Sequence, residues 1–180
     1  MRRRFVWNAM ALCSLWAAAW ASPAFAGDMH AEDAVKAAFV LRFAGYVEWP
    51  EAAAAAGSFN IVVLGDSELA LHLQTLAAGR SVMNRPIQVR RIASIKDAGD
   101  AQVLYIGSDR RNPIRDLLPS IAGRSVLVVS DEDNALDSGS TINLRTADQR
   151  VRFEVSLPSA RQAHLRISSD LLALAVRVRK

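Results

Sequence analysis

The chain has a single cysteine, Cys13, and it lies inside an N-terminal apolar run. Arg2, Arg3 and Arg4 precede that run, Phe5 to Trp20 form most of it, and Ala24-Phe25-Ala26 follows as a small-residue cleavage pattern. The layout reads as a secretory signal peptide over residues 1–26, cut after Ala26. A membrane anchor is the competing reading, but Asn8 and Ser14 interrupt the run, which falls short of the roughly 20 apolar residues a crossing needs. A lipoprotein is disfavoured, because Ala11-Leu12 before Cys13 is a poor lipobox and the cysteine sits early. Removing 26 of 180 residues leaves 154 with no thiol. That excludes a disulfide, so the core alone must hold the fold, as a domain of this size can. A strong charge bias is also lacking: the signal takes three arginines, and a net charge of +4 falls to +1. Binding to nucleic acid through bulk basicity loses its support. No second run is long enough to span a membrane. G-x-S-x-G, G-x-G-x-x-G, P-loop and H-E-x-x-H patterns are absent, so the common catalytic and nucleotide signatures carry no reading here.

What remains is an alternation of elements. Asp28 to Glu48 has helical periodicity, with Val35, Phe39, Phe43 and Val47 recurring every four residues and Glu32, Lys36 and Arg42 on the polar side. Pro50 stops it, and Glu51 to Ser58 is an alanine-rich connector. Phe59 to Leu64 is a β-branched strand ending at Gly65-Asp66, followed by a helix from Ser67 to Ala78 closed by Gly79. Pro86 to Ile92 alternates as a strand nearer an edge; Gln102 to Ile106 is a buried strand; Asn112 to Ile121 is a helix with Pro113 in its first turn; Val126 to Val129 is a third apolar strand. This rhythm implies parallel strands joined by crossovers. The last third differs. Thr141 to Arg145 and Arg150 to Val155 form a hairpin around residues 146–149, with Val151, Phe153 and Val155 facing the core and Arg150, Arg152 and Glu154 facing away. Short helices at Pro158 to Leu165 and Leu171 to Val176 follow, the second capped by Ser169 or Asp170. The expectation is one three-layer α/β domain over residues 27–180: a mixed, mostly parallel sheet flanked by helices, with a C-terminal β-hairpin.

Asp66, Asp109 and Asp131 each follow a parallel strand, where α/β folds gather ligands. Carboxylates there, with Glu132 and Asp133 beside the third, could hold a divalent cation or accept a phosphoryl group. A receiver-type site would also need a lysine, from Lys36 or Lys96. The commoner use of such residues is to cap the following helix. His30, His72 and His164 lack ligand spacing and read as surface or half-buried imidazoles. Trp49 has two readings, a seal closing the first helix against the sheet or an aromatic anchor for a partner or ligand. The charged face of Arg150, Arg152 and Glu154 is either solvated or a docking edge.

Several blocks together resemble one family. Lys36-Ala37-Ala38-Phe39, Phe43, Tyr46-Val47 and Trp49-Pro50 form a helix-end signature, and Ile61 to Gly65 resembles its first strand. Arg85-Pro86-Ile87, the strand ending at Gly107, Val126 to Asp131 and Gly139 to Leu144 follow, with Ser138 in place of a first glycine. Arg152-Phe153-Glu154-Val155 and Ala160 to Ala175 match the closing block, Ser156 standing where asparagine is frequent. The chain thus resembles the YfiR family, whose members restrain membrane-anchored diguanylate cyclases. The resemblance implies a periplasmic, non-enzymatic protein without cofactor or metal. It would bind and repress the periplasmic sensory domain of an inner-membrane diguanylate cyclase, lowering cyclic-di-GMP and biofilm formation. Homodimerisation is a further expectation. Contact candidates are Ile142, Arg152, Glu154 and Ala160, on the hairpin and the helix after it, with Trp49 as a second anchor. The family's namesake resembles a redox-responsive, disulfide-containing protein; without a mature cysteine that regulation is excluded here. Two other classes compete: a periplasmic small-ligand-binding protein serving a sensor kinase or outer-membrane receptor, and an exported enzyme using the acidic strand ends.

Overall fold

The structure, a computed structural model, describes residues 24–50, 57–108 and 113–180. The expected signal peptide therefore lies almost wholly outside the described residues, as do the connector residues 51–56 and Asp109. Helix α1 (Ala24–Phe43) opens the described chain and spans the expected cut. It ends earlier than its periodicity suggests. Gly45 and Tyr46 donate to the carbonyls of Arg42 and Phe43 in a tight turn, and strand β1 (Val47–Glu48) follows. Glycine weakens the helix there, and Trp49, preceding Pro50, is pushed towards extended backbone.

Strand β2 (Phe59–Leu64) is buried along its whole length, as a central parallel strand requires. Asp66 caps helix α2 (Ser67–Ala77), and Gly79, at φ 70°, turns the chain out of it. A hairpin of β3 (Ser81–Val82) and β4 (Arg85–Ile92) comes next, then a 3-10 turn at Ile95–Ala98 and β5 (Val103–Ile106). The helix expected over 112–121 is one α turn, α3 (Ile114–Leu117), continued as 3-10 through Ile121. Pro119 has no N–H to give the α ladder, which stops there. After β6 (Leu127–Ser130), β7 (Ile142–Ala147) and β8 (Arg150–Ser156) make the expected hairpin. Its turn is Asp148-Gln149, both with positive φ, the backbone twist a two-residue hairpin prefers. Helix α4 (Leu157–Gln162), β9 (Arg166–Ile167), α5 (Ser169–Leu174) and β10 (Arg177–Arg179) close the chain. Ser168 supplies the α5 cap, one residue before the expected candidates.

Eight strands pair in the order β10-β8-β7-β6-β5-β2-β4-β3. β4, β2, β5, β6 and β7 run parallel, and β8 turns back antiparallel on β7. β1 pairs with β9 apart from this sheet. Alternation along β5 separates two cores: Val103 and Tyr105 face α1, α2 and the C-terminal helices, while Leu104 and Ile106 face α3 and the 3-10 turns. The three-layer arrangement, mostly parallel sheet and C-terminal hairpin match the sequence expectation. The face α1 buries is set by Ala37, Val40, Leu41, Phe43 and Ala44, with Val35 exposed and Lys36 turned inward. Phe39 and Phe43 pack on Phe153 of β8 at 5.8 and 5.1 Å, fastening α1 to the hairpin.

Candidate functional site

The acidic strand ends resolve into separate tasks. Asp66 accepts the backbone N–H of Leu69 at 2.9 Å and is a helix cap. Glu132 accepts the N–H of Ile114 at 3.2 Å, at the start of α3. Asp131 does something else. Its Oδ2 accepts from Lys36 Nζ at 2.6 Å, and its Oδ1 from the Ser108 N–H at 2.9 Å. The same ammonium lies 2.8 Å from Glu32 Oε1, which also accepts the Thr146 hydroxyl at 2.8 Å. One lysine thus ties α1 to the ends of β5 and β6 and to the hairpin.

Burial disfavours the Lys36 charge, but hydrogen bonds to Asp131 and Glu32 outweigh it and raise its pKa. Glu32 is the mirror case: burial resists ionisation, and the bonds from Lys36 and Thr146 lower its pKa on balance. Burial, then the charge of Asp66, raises Asp33. Tyr105 is fully buried beneath this cluster, and burial with the Asp131 and Asp66 charges pushes its pKa well above 10.0. Its hydroxyl lies beside Asp131 without a well-formed hydrogen bond. A cleft of about 240 Å³ opens here, with Glu32, Lys36, Ser108 and Asp131 on its wall. The receiver-type expectation is met only in that Lys36 reaches Asp131. Both carboxylate oxygens of Asp131 and two directions of the ammonium are already occupied, which makes the group a structural clasp. Among the described residues no three His, Cys, Asp or Glu side chains are grouped to hold a metal ion.

The hairpin candidates fall into two sets. Ile142 and Ala160 are in the core, at 0% and 1% exposure, and Glu154 keeps only 8%. Arg152 is exposed. In register, Arg145 stands opposite Arg152, and Arg177 of β10 stands beside Glu154. The Glu154 carboxylate is 3.7 Å from Arg145. Arg145, Arg152 and Arg177 therefore surround one shielded acid on the sheet face away from α1. Strand β10 is at the end of the sheet, and Leu174 and Val176 just before it are 67% and 54% exposed. Sequence reading missed β10, although Arg177-Val178-Arg179 carries an alternating pattern.

Trp49 is 7% exposed and packs edge-on against Phe59 at 5.2 Å. That placement is the one the sealing reading expects; its indole N–H has no acceptor among the described residues. His72 sits within α2, and His164 adopts positive φ after α4.

The fold is a mixed α/β domain that pairs Lys36 with Asp131 and Glu32 and exposes arginines along β8 and β10. The chain belongs to the YfiR/HmsC-like family, whose model matches residues 33–176. That family is regulatory and periplasmic, acting in cyclic-di-GMP control. The fold is also similar to the crystal structure of a conserved domain protein from Vibrio cholerae O1 biovar eltor str. N16961, at TM-score 0.51 and 13% identity. The match covers 67% of this chain and 54% of that one, so the chain spans about half the length of that structure.

Proposed function

We propose that this protein acts in the periplasm by binding the sensory domain of an inner-membrane diguanylate cyclase and holding the cyclase inactive. Family membership supports the regulatory class, and the arginine-rich outer face of β7, β8 and β10 is the observation that carries the surface. Arg152 and Arg177 have no anionic partner among the described residues, so their charge is free to meet an acidic patch. Ile142 and Ala160, buried as they are, shape the hairpin from behind, while Arg152 makes the contact. Repression is then a population shift: the protein binds the inactive cyclase conformation more tightly than the active one, and a complete switch needs a preference of about 10⁴-fold. A homodimer is compatible with this scheme, leaving the second hairpin free for a second cyclase protomer.

The test is calorimetric titration of the purified protein with the periplasmic sensory domain of an inner-membrane diguanylate cyclase from the same cell. Arg152→Glu and Arg177→Glu should each weaken binding about tenfold or more without lowering the unfolding temperature. Unchanged affinity in both variants would remove this surface from the proposal. Absence of binding by the wild-type protein would remove the cyclase.

A further inference from the structure

A second concave surface on α1 has a different chemistry. A groove of about 450 Å³ lies between α1, the end of α2 and the β3–β4 hairpin. Leu41, Leu76, Val82 and Ile87 line its floor, and the exposed Arg42 and Arg80 stand on its rim. Among the described residues no carboxylate lines it and neither guanidinium has an anionic partner. Ala38 of α1 and Gly45 of the turn after it supply one wall, and at Gly45 an added Cβ would meet only the Arg42 carbonyl, at 3.5 Å. Small residues thus keep the groove open where larger ones would fit.

An apolar floor with two unneutralised arginines calls for a ligand that is greasy along its body and negative at one end. The volume is in the range of small-molecule sites, which run from about 300 to 1,000 Å³. Guanidinium forks suit a carboxylate head, since they present paired donors in one plane. We propose that this groove binds a small amphipathic carboxylate, its acid group held by Arg42 and Arg80 and its aliphatic body laid on Leu41, Leu76, Val82 and Ile87. This site is independent of the cyclase-binding surface, and either can stand without the other.

The experiment titrates the purified protein with decanoate below its micellar range, by calorimetry and by methyl NMR. Saturable binding is expected, with shifts concentrated at Leu41, Leu76, Val82 and Ile87. Each methylene removed, through octanoate to hexanoate, should weaken binding about twofold to fourfold. Arg42→Gln and Arg80→Gln should each weaken it about twofold to fivefold, an exposed ion pair's contribution, with unfolding temperature unchanged. Ala38→Trp should fill the groove and abolish binding, and decyltrimethylammonium should not compete. The wild-type shift map stands even if a variant folds poorly. No saturable shift, shifts centred elsewhere, or equal binding of the cationic amphiphile would overturn the proposal.

Discussion

Replacing Lys36 with methionine isolates the clasp, since methionine keeps most of the apolar stem and loses the ammonium. Asp131 would then sit with 9% side-chain exposure and no counter-charge, and Glu32 would lose one of its two donors. Removing one member of a buried pair ordinarily costs about 3–5 kcal/mol, because the remaining charge stays desolvated. Here the Glu32 side chain is 34% exposed and Lys36 keeps 11%, so water softens the loss and about 2–4 kcal/mol is the reasoned figure. At about 2–4 °C per kcal/mol for this chain length, the unfolding temperature should fall by roughly 4–16 °C. Urea unfolding followed by tryptophan fluorescence measures the energy. The decisive control is Lys36→Met with Asp131→Leu, which removes both charges and should recover a large part of the loss, with coupling of about 1 kcal/mol or more. If Lys36→Met stays within about 0.5 kcal/mol of wild type, or the double variant is no better than the single, the clasp is not what fastens α1.

The same clasp sets a pH window. Glu32, with its pKa lowered, contributes stability that is present above its ordinary 4.5 and lost as pH falls through the folded value. Lys36, with its pKa raised, contributes stability that is present below 10.5 and lost as pH rises through its folded value. Asp33 opposes Glu32, since its raised pKa costs stability as pH climbs past 3.8. Urea midpoints of wild type and Glu32→Gln should therefore differ at neutral pH and converge in acid; a constant gap across that range would contradict the assignment. Gly139→Ala should destabilise by about 1–3 kcal/mol, read by thermal unfolding, because Gly139 has φ 104° and its added Cβ would lie 2.7 Å from Leu118 Cδ1. Gln149→Gly should instead raise stability by up to about 1 kcal/mol, relieving positive φ in the hairpin turn; a drop in the urea midpoint would speak against it. Trp49→Ala should cost about 3–5 kcal/mol in the same assay as the seal over Phe59 is lost, and a cost under about 1 kcal/mol would contradict that packing.

Local chemistry made the parallel half of the fold readable. Phe59 to Leu64 is apolar at every position but Asn60, Asp66 and Gly79 punctuate α2, and β8 alternates between exposed and more buried positions from Arg150 to Phe153. Where reading failed, a long-range partner decided the outcome. Val47 and Glu48 continue a helical pattern but pair with Ile167 and Arg166, more than a hundred positions away, and no local propensity encodes that pairing. Three residues, Arg177–Arg179, are too few to announce a strand, yet β8 offers them a ladder. Periodicity places Lys36 on the polar side of its helix. It turns inward because Asp131 is there to receive it, 95 positions along the chain.

These misplacements bear on function, because each moved residue bears on a surface. With Lys36 inward, Asp131 is paired, while Asp66 and Glu132 accept backbone N–H groups, so these strand-end carboxylates are engaged in separate structural tasks. With β10 in place, Arg177 joins the exposed Arg150 and Arg152 on the hairpin's outer face, and none of the three has an anionic partner among the described residues. We propose that Glu154 spaces those guanidiniums, its carboxylate lying 3.7 Å from Arg145. Arginines brought close together repel, and a carboxylate 3.7 Å from Arg145 makes their proximity tolerable. Glu154→Gln should accordingly leave the face more positive and strengthen binding of an acidic partner about twofold to threefold, while lowering stability by roughly 1 kcal/mol. Titration of that variant against the cyclase domain separates the roles. Tighter binding with lower stability fits a spacer, whereas weaker binding at unchanged stability would make Glu154 a contact residue and reverse the assignment of that face.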